Sequence, residues 1–438
     1  MSLASAGESS GTFSSTNLLS RYKPVPLKKN IGIPFAALAL SALFIQLSIP
    51  PRIQTQTIQV SRQKLDSLAL QKTGTTSSVD LATKRMGDHY LLLVNTAIAF
   101  MMNSEKMAQF DKSPYDGLAV AFWHAYDTSP AFSPEEMKAK IAEWKRSTKK
   151  DIWPWVYVNR MIGAAPDSTN AYTKDPYFHR IAGADLDGKA GAQRDFLQNW
   201  QNSLLAARDS GAPGVFCDLE FYNFYKEYDV GALAKEIGKT PPQTVELLQQ
   251  LGSRMANIAA KEFPHATLWF AFTALTHAGY KVADNQPYYP SPAYIVIGLL
   301  DEIQKQHLPL KVLSGGAGSL AYCHDSLDQF KDAIQDRQVK IAPQIEKYRA
   351  TLELSGTMTL YSDRSEMQDW VKKDCSASTA KNLEDLQPFV ELLLKTYRYN
   401  WIYGSGDGGY VAFAPHIANR FDALIRKAEA HASESGLH

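Results

Sequence analysis

The 438-residue sequence predicts an α/β fold, a (β/α)8 TIM barrel preceded by one N-terminal transmembrane helix. Three observations predict it. Eight short apolar runs alternate with segments whose apolar residues recur at the helical period of about 3.6, the pattern of a parallel sheet clad in helices. None of these runs is followed by GxGxxG or GxxxxGK[ST], so nucleotide-binding open sheets lose support, and eight units close naturally into a barrel. One long uncharged run stands apart, ahead of the first strand.

The runs are, in order, HYLLLVN (89–95), GLAVAFWHAY (117–126), DIWPWVYVNRM (151–161), GVFCDLEFY (214–222), ATLWFAFTA (266–274), LKVLSGGAG (310–318), GTMTLYSD (356–363) and YNWIYGSGD (399–407). Between them, a helix starts at Ser133, with Pro134 at its first position and Glu135 and Glu136 in its first turn. Another is predicted near 193–209. Thr240 caps a long helix that Pro264 marks as ended, a further one covers 292–306, and a closing helix covers 415–431.

The uncharged run, IGIPFAALALSALFIQLSI (31–49), is long enough to span a bilayer as a helix, and Pro34 near its start is tolerated because early-turn amides lack helical partners. Arg21, Lys23, Lys28 and Lys29 precede it and Arg52, Arg62 and Lys64 follow, a bias toward a cytoplasmic N-terminus. A cleaved signal peptide is the rival reading, but the leader is long and no A-x-A site follows. A buried core helix is the other, with little ahead of it to pack against. The chain therefore reads as a disordered cytoplasmic tail (1–29), a membrane anchor (30–51), a polar stalk (52–85) and a barrel (86–438) in the periplasm or extracellular space.

Composition narrows the partners. Lys and Arg total 46 against 45 Asp and Glu, which leaves no global field to recruit nucleic acid or anionic lipid. Hydrophobic residues at 45% suffice for a sizeable core. The 8 Trp and 21 Tyr suit stacking on sugar rings, although aromatics are core material first. Cys217, Cys323 and Cys375 match no zinc or CxxC spacing, so no disulfide framework or metal site is expected, one bridge remains open, and Cys217 reads as a buried strand residue. No metal or organic cofactor is indicated.

Reactive groups of such barrels lie at the C-terminal strand ends. The fourth run ends Asp218-Leu219-Glu220-Phe221-Tyr222. Residues two apart in a strand share a face, so Asp218 and Glu220 are expected to point together toward the mouth. Mutual repulsion would raise one pKa and keep a protonated acid beside a charged partner, which is what a glycosidase general acid requires. The structural alternative is a carboxylate pair held by Arg or Lys inside the barrel.

GVFCDLEFY resembles the fourth-strand segment of chitinase-type (family 18) hydrolases, whose acidic strand ends Asp-x-Asp-x-Glu-Tyr. The resemblance implies Glu220 as proton donor and Asp218 as the group that orients a substrate N-acetyl serving as internal nucleophile. It spans about nine residues. The chain departs from the pattern at Phe216, where that family has another Asp, and lacks its Ser-x-Gly-Gly strand. More broadly, the order PYDGLAV, DLE, YNWIYG resembles uncharacterised bacterial glycosidase-like barrels.

The other strand ends supply a wall: Trp123 and His124, Asn159 and Arg160, Tyr222, Tyr361 and Asp363, then Trp401, Tyr403 and Asp407. Trp401 is either the floor of a sugar subsite or core, Trp269 is core, and His124 is a base or simply hydrogen-bonded. A two-carboxylate mechanism would need Asp363 or Asp407 across the mouth, because the sixth run ends in SGGAG without a carboxylate. Those glycines would let a ligand approach the backbone. The resulting expectation is a membrane-anchored glycoside hydrolase acting on a polysaccharide or oligosaccharide. The competing reading is an inactive barrel that binds glycan or scaffolds a cell-envelope complex.

Overall fold

A computed structural model describes residues 89–98, 102–122, 132–157, 192–220, 229–276, 280–281, 287–321, 324–360, 383–404 and 415–434. The chain divides into two units, Met1–Thr75 and Thr76–His438, and every described residue lies in the second. The apolar run 31–49 and the stalk lie outside the described residues, among which no helix is long and apolar enough to cross a membrane.

The elements follow in the order β1 (Tyr90–Ile98), α1 (Ser104–Asp111), β2 (Gly117–Ala121), α2 (Pro134–Lys145), β3 (Asp151–Tyr157), α3 (Ala192–Ser210), β4 (Gly214–Asp218), α4 (Val230–Glu236), α5 (Pro241–Glu262) and β5 (Thr267–Phe270). A short antiparallel pair, β6 (Tyr280–Lys281) and β7 (Pro287–Tyr288), precedes α6 (Ser291–Gln306), β8 (Lys311–Ser314), α7 (Ala317–Leu320), α8 (Leu327–Lys347), β9 (Leu352–Leu360), α9 (Gln387–Thr396), β10 (Tyr399–Gly404) and α10 (Pro415–Glu434). Eight parallel strands close into a barrel in the order β1-β10-β9-β8-β5-β4-β3-β2. Each of the eight predicted runs contributes one of them.

Local sequence sets the boundaries. Ser133 and Thr240 each make the full capping box, their side chains accepting from the third helical amide while Glu136 and Gln243 reach back to the cap, with proline opening each helix. The seventh barrel strand, β9, begins four residues ahead of the predicted run (356–363), because Leu352-Glu353-Leu354-Ser355 alternates polar and apolar residues and does not read as an apolar run. Helices α1, α4, α8 and α9 complete the cladding. Of these α8 is mostly polar, burying only Phe330, Ile334, Arg337 and Ile341, and it carries Pro343 within it.

Alternation separates two environments. Val215, Cys217 and Leu219 face the helices, as do Met358 and Leu360, whereas Phe216, Trp269, Leu313 and Trp401 fill the barrel. That interior is aromatic. Trp153 meets Trp269 edge-on at 5.6 Å, Phe216 meets Trp401 at 5.5 Å, and Trp269 meets Tyr399 at 5.9 Å. Such contacts add about 0.5–1.5 kcal/mol each beyond the area they bury. Trp144, Trp153, Trp155, Trp200, Trp269 and Trp401 are all buried, so the described tryptophans are spent on packing.

Polar side chains close the lower end. Trp153 Nε1 donates to the Tyr90 hydroxyl at 2.8 Å, which donates to Asp151 at 2.9 Å. Lys311 pairs with Glu353 at 2.7 Å and donates to the Tyr399 hydroxyl at 3.1 Å. Burial opposes the charge on Lys311, but Glu353 and Tyr399 hold its ammonium above the ordinary range.

The C-terminal helix docks with two half-buried acids. Burial raises Asp422 to about 6 and Glu429 to about 7, the latter aided by the charge of Asp116, and Arg426 and Lys150 oppose both shifts. Carboxylates raised by folding cost nothing below the unfolded values near 4, and their cost is complete once pH passes the folded ones. Asp422→Asn with Glu429→Gln is therefore expected to raise Tm at pH 8 and leave it unchanged at pH 4. After discounting for solvent screening the gain is about 1 kcal/mol per site, a few degrees in total, measurable by thermal melts at both pH values.

Candidate active site

The mouth is built from strands that run toward it and stop at different heights. On β4 all five residues are buried, and Phe216 pointing into the barrel places Asp218 on the same inner face at the strand's upper end. Asp218 is 2% exposed. Tyr157, at the end of β3, stands in register with it.

The strand ends at Asp218, and Leu219 still faces the helices with Val215 and Cys217. Asp218 Oδ1 accepts the Glu220 backbone N–H at 2.9 Å, an Asx-type turn. One carboxylate thus fixes the backbone that presents the other, and Glu220 is half-buried just above the strand end. The neighbouring Cys217 faces the helices, where burial pushes its thiol far up and the Asp218 charge pushes it further, so the thiol is inert.

Next to β4 in the barrel, β5 and β8 pair so closely at their upper ends that a side chain at Gly315 is excluded. A β-carbon on Gly315 would collide with the carbonyl oxygens of Phe270 and Ala271, and one on Gly316 would press on Leu320 and Thr357. The glycines of SGGAG therefore serve internal packing, with Gly315 N–H donating to Phe270 O at 2.6 Å and Ala317 N–H to Ala271 O at 3.2 Å. Beside them Thr273 and Ser314 share a buried hydroxyl–hydroxyl bond of 2.8 Å.

Behind β8 and β9, the buried Arg337 of α8 donates to Ser314 O at 2.6 Å and to Ser355 O at 2.9 Å, with its guanidinium over the Tyr397 ring. It locks the two strands at the level where the interior turns polar. Trp401 and Tyr403 of β10 reach the same wall. Trp401 is 4% exposed with its ring against Phe216, and Tyr403 is half-buried beside the interior cluster. Trp269 is core, bonding through Nε1 to Ser355 Oγ at 2.8 Å.

Trp123, His124, Asn159, Arg160, Tyr222, Tyr361, Asp363 and Asp407 lie outside the described residues. Among the described residues, no three His, Cys, Asp or Glu side chains gather where they could hold a metal ion. Thr357 and Thr359 lie on the inner face of β9, which carries a polar residue at every second position of ELSGTMTL.

No family model matches the chain, and no curated protein matches it. Solved structures similar to it include glycoside hydrolases. A GH5-4 broad-specificity endoglucanase from an uncultured bacterium is 11% identical, covers 80% of this chain and 97% of its own, and has a TM-score of 0.44. A mutant plant class V chitinase from Cycas revoluta, in complex with (GlcNAc)3, is 13% identical over 78% of this chain and 99% of its own, with a TM-score of 0.37. A D-psicose 3-epimerase in the presence of D-fructose is 11% identical over 78% and 98%, with a TM-score of 0.38. Overlaps of this size assign no chemistry.

Proposed function

We propose that the barrel is a glycoside hydrolase acting on a polysaccharide, with Glu220 as general acid. The observation that carries this reading is the buried Asp218 at the upper end of β4, holding the backbone of a half-buried glutamate at the mouth. A general acid must be fixed within hydrogen-bond reach of the leaving oxygen, and a turn pinned by a buried carboxylate supplies that fixity. On this reading Glu220 protonates the glycosidic oxygen. The positive charge that develops on the sugar is met either by the substrate's own N-acetyl group, oriented by Asp218, or by a second carboxylate, Asp363 or Asp407. Trp123, His124, Asn159, Arg160, Tyr222, Tyr361 and Tyr403 would line the substrate path. The uncharged run 31–49 would hold the barrel at the outer face of a membrane.

The upper end of β8, two strands from β4, supports a second reading. Ser314, Gly315 and Gly316 are engaged in internal bonds and bring no carboxylate, which suits a barrel that binds glycan without cleaving it. Incubation with N-acetylated and plain polysaccharides separates the two. The hydrolase releases new reducing ends from at least one class, whereas the binding barrel retains glycan and releases none.

A further inference from the structure

The chain enters the barrel at its lower end, where β1 begins at Tyr90 and Leu91 N–H donates to Asp116 Oδ2 at 2.9 Å. Three segments meet around this point. Arg426 of α10 donates to the carbonyl of Lys112 in the α1–β2 link, and Lys150 of the α2–β3 link donates to Ser113 O at 3.1 Å. Lys112, Arg146, Lys149, Arg426 and Lys427 of these segments are exposed, and none of the five forms an ion pair among the described residues. The acids described there are half-buried and turn inward. Asp111 accepts the Lys149 N–H and the Thr148 hydroxyl, while Asp116 and Asp151 hold the start of β1. Burial raises Glu429 to about 7, which thins its negative charge at neutral pH. Elsewhere on the lower rim the bases are matched. Arg208, Lys261, Lys305, Lys347 and Arg349 each pair with a carboxylate at 2.7 to 3.9 Å.

A lysine or arginine at a helix end suits the helix dipole, so one or two of them call for no partner. Five from three segments, with the acids withdrawn, form a local positive surface on a chain whose net charge is only +1. The sequence ahead of the barrel joins it beside this surface and carries the uncharged run 31–49, long enough to span a bilayer. We propose that this basic face of the barrel docks on the anionic headgroups of a lipid bilayer. Each basic side chain near such a surface adds about fivefold to the affinity. A tether in the same membrane raises the effective concentration, so a few such side chains suffice. Barrel strands run from the lower end to the mouth, and docking on this face therefore turns the mouth away from the lipid, toward glycan beyond it. The tether rests on reading run 31–49 as a membrane segment, and the basic face does not.

The test mixes the full chain with vesicles of phosphatidylcholine, alone or with phosphatidylglycerol, neither of which carries an amine. Flotation reads association, and acetylation followed by mass spectrometry reads the exposure of each lysine. With phosphatidylglycerol present, labelling of Lys112, Lys149 and Lys427 is expected to fall about fivefold or more. Lys239, exposed on the mouth side ahead of α5, should label equally in both. About 1 M salt, where the screening length is about 3 Å, should restore labelling of the three lysines. Arg146→Glu with Lys427→Glu, both at exposed positions, should restore labelling of Lys112 and Lys149 and leave Tm nearly unchanged. Equal labelling of the three lysines in the two vesicle types would overturn the inference, as would equal protection of Lys239. Protection by a single-stranded oligonucleotide but not by anionic vesicles would also overturn it, in favour of nucleic acid. If the chain floats with both vesicle types and the lysines label equally, the anchor stands and the docking face fails. If it floats only with the anionic vesicles and they protect the three lysines, the docking face stands and the anchor fails.

Discussion

Glu220→Gln is expected to lower turnover of a cleavable glycan by about 10²–10⁴-fold, the usual contribution of a general acid, with fold and affinity nearly intact. The amide has the same shape but no proton to give. The fold should tolerate it because Asp218 grips the Glu220 backbone N–H, so the turn keeps its pin after the substitution. Rates and binding measured on the same preparation check this. Unchanged turnover would exclude Glu220 as the acid, and a collapse of Tm would assign it a structural role.

The second large effect concerns Asp218, where two substitutions separate position from charge. Asp218→Ala removes the acceptor of the half-buried Glu220 amide, a loss of about 1 kcal/mol. The turn loosens, and a misplaced acid costs about 10²-fold in rate. Asp218→Asn keeps Oδ1 and removes only the charge. If that charge stabilises the ring formed by a substrate N-acetyl group, Asn is as damaging as Ala and activity is confined to N-acetylated sugars. If Asp218 acts only by holding the turn, Asn is tolerated, and the damaging changes are Asp363→Asn or Asp407→Asn. Rates of the four variants on N-acetylated and plain oligosaccharides decide which, and full activity of Asp218→Ala would remove Asp218 from the mechanism altogether.

What the sequence revealed follows from what it buries. Strands such as GLAVA are apolar on both faces because helices cover one side and aromatic rings the other, so they stand out as runs. The first four residues of β9 escape the apolar-run reading because the strand's inner face is polar, at Glu353, Ser355, Thr357 and Thr359. Helix α8 hides for a related reason. It buries an arginine whose partners are backbone carbonyls of Ser314 and Ser355, a role no side-chain pattern announces. At the site, strand-end logic located Asp218, whereas the bond from the Glu220 backbone N–H to the Asp218 carboxylate is a link that no side-chain pattern announces. Aromatic enrichment was ambiguous for the same physical reason that makes aromatics useful in cores. Trp153, Trp269 and Trp401 plug the barrel.

The measurement closest to the central claim takes the wild-type chain and its Glu220→Gln form side by side, with one neutral N-acetylated and one plain polysaccharide. Bound glycan and newly formed reducing ends are read from the same samples. The predicted result is that both proteins retain one of the glycans and that reducing ends accumulate only with wild type. Retention by both proteins with no reducing ends from either would contradict the claim and leave a barrel that binds glycan without cleaving it.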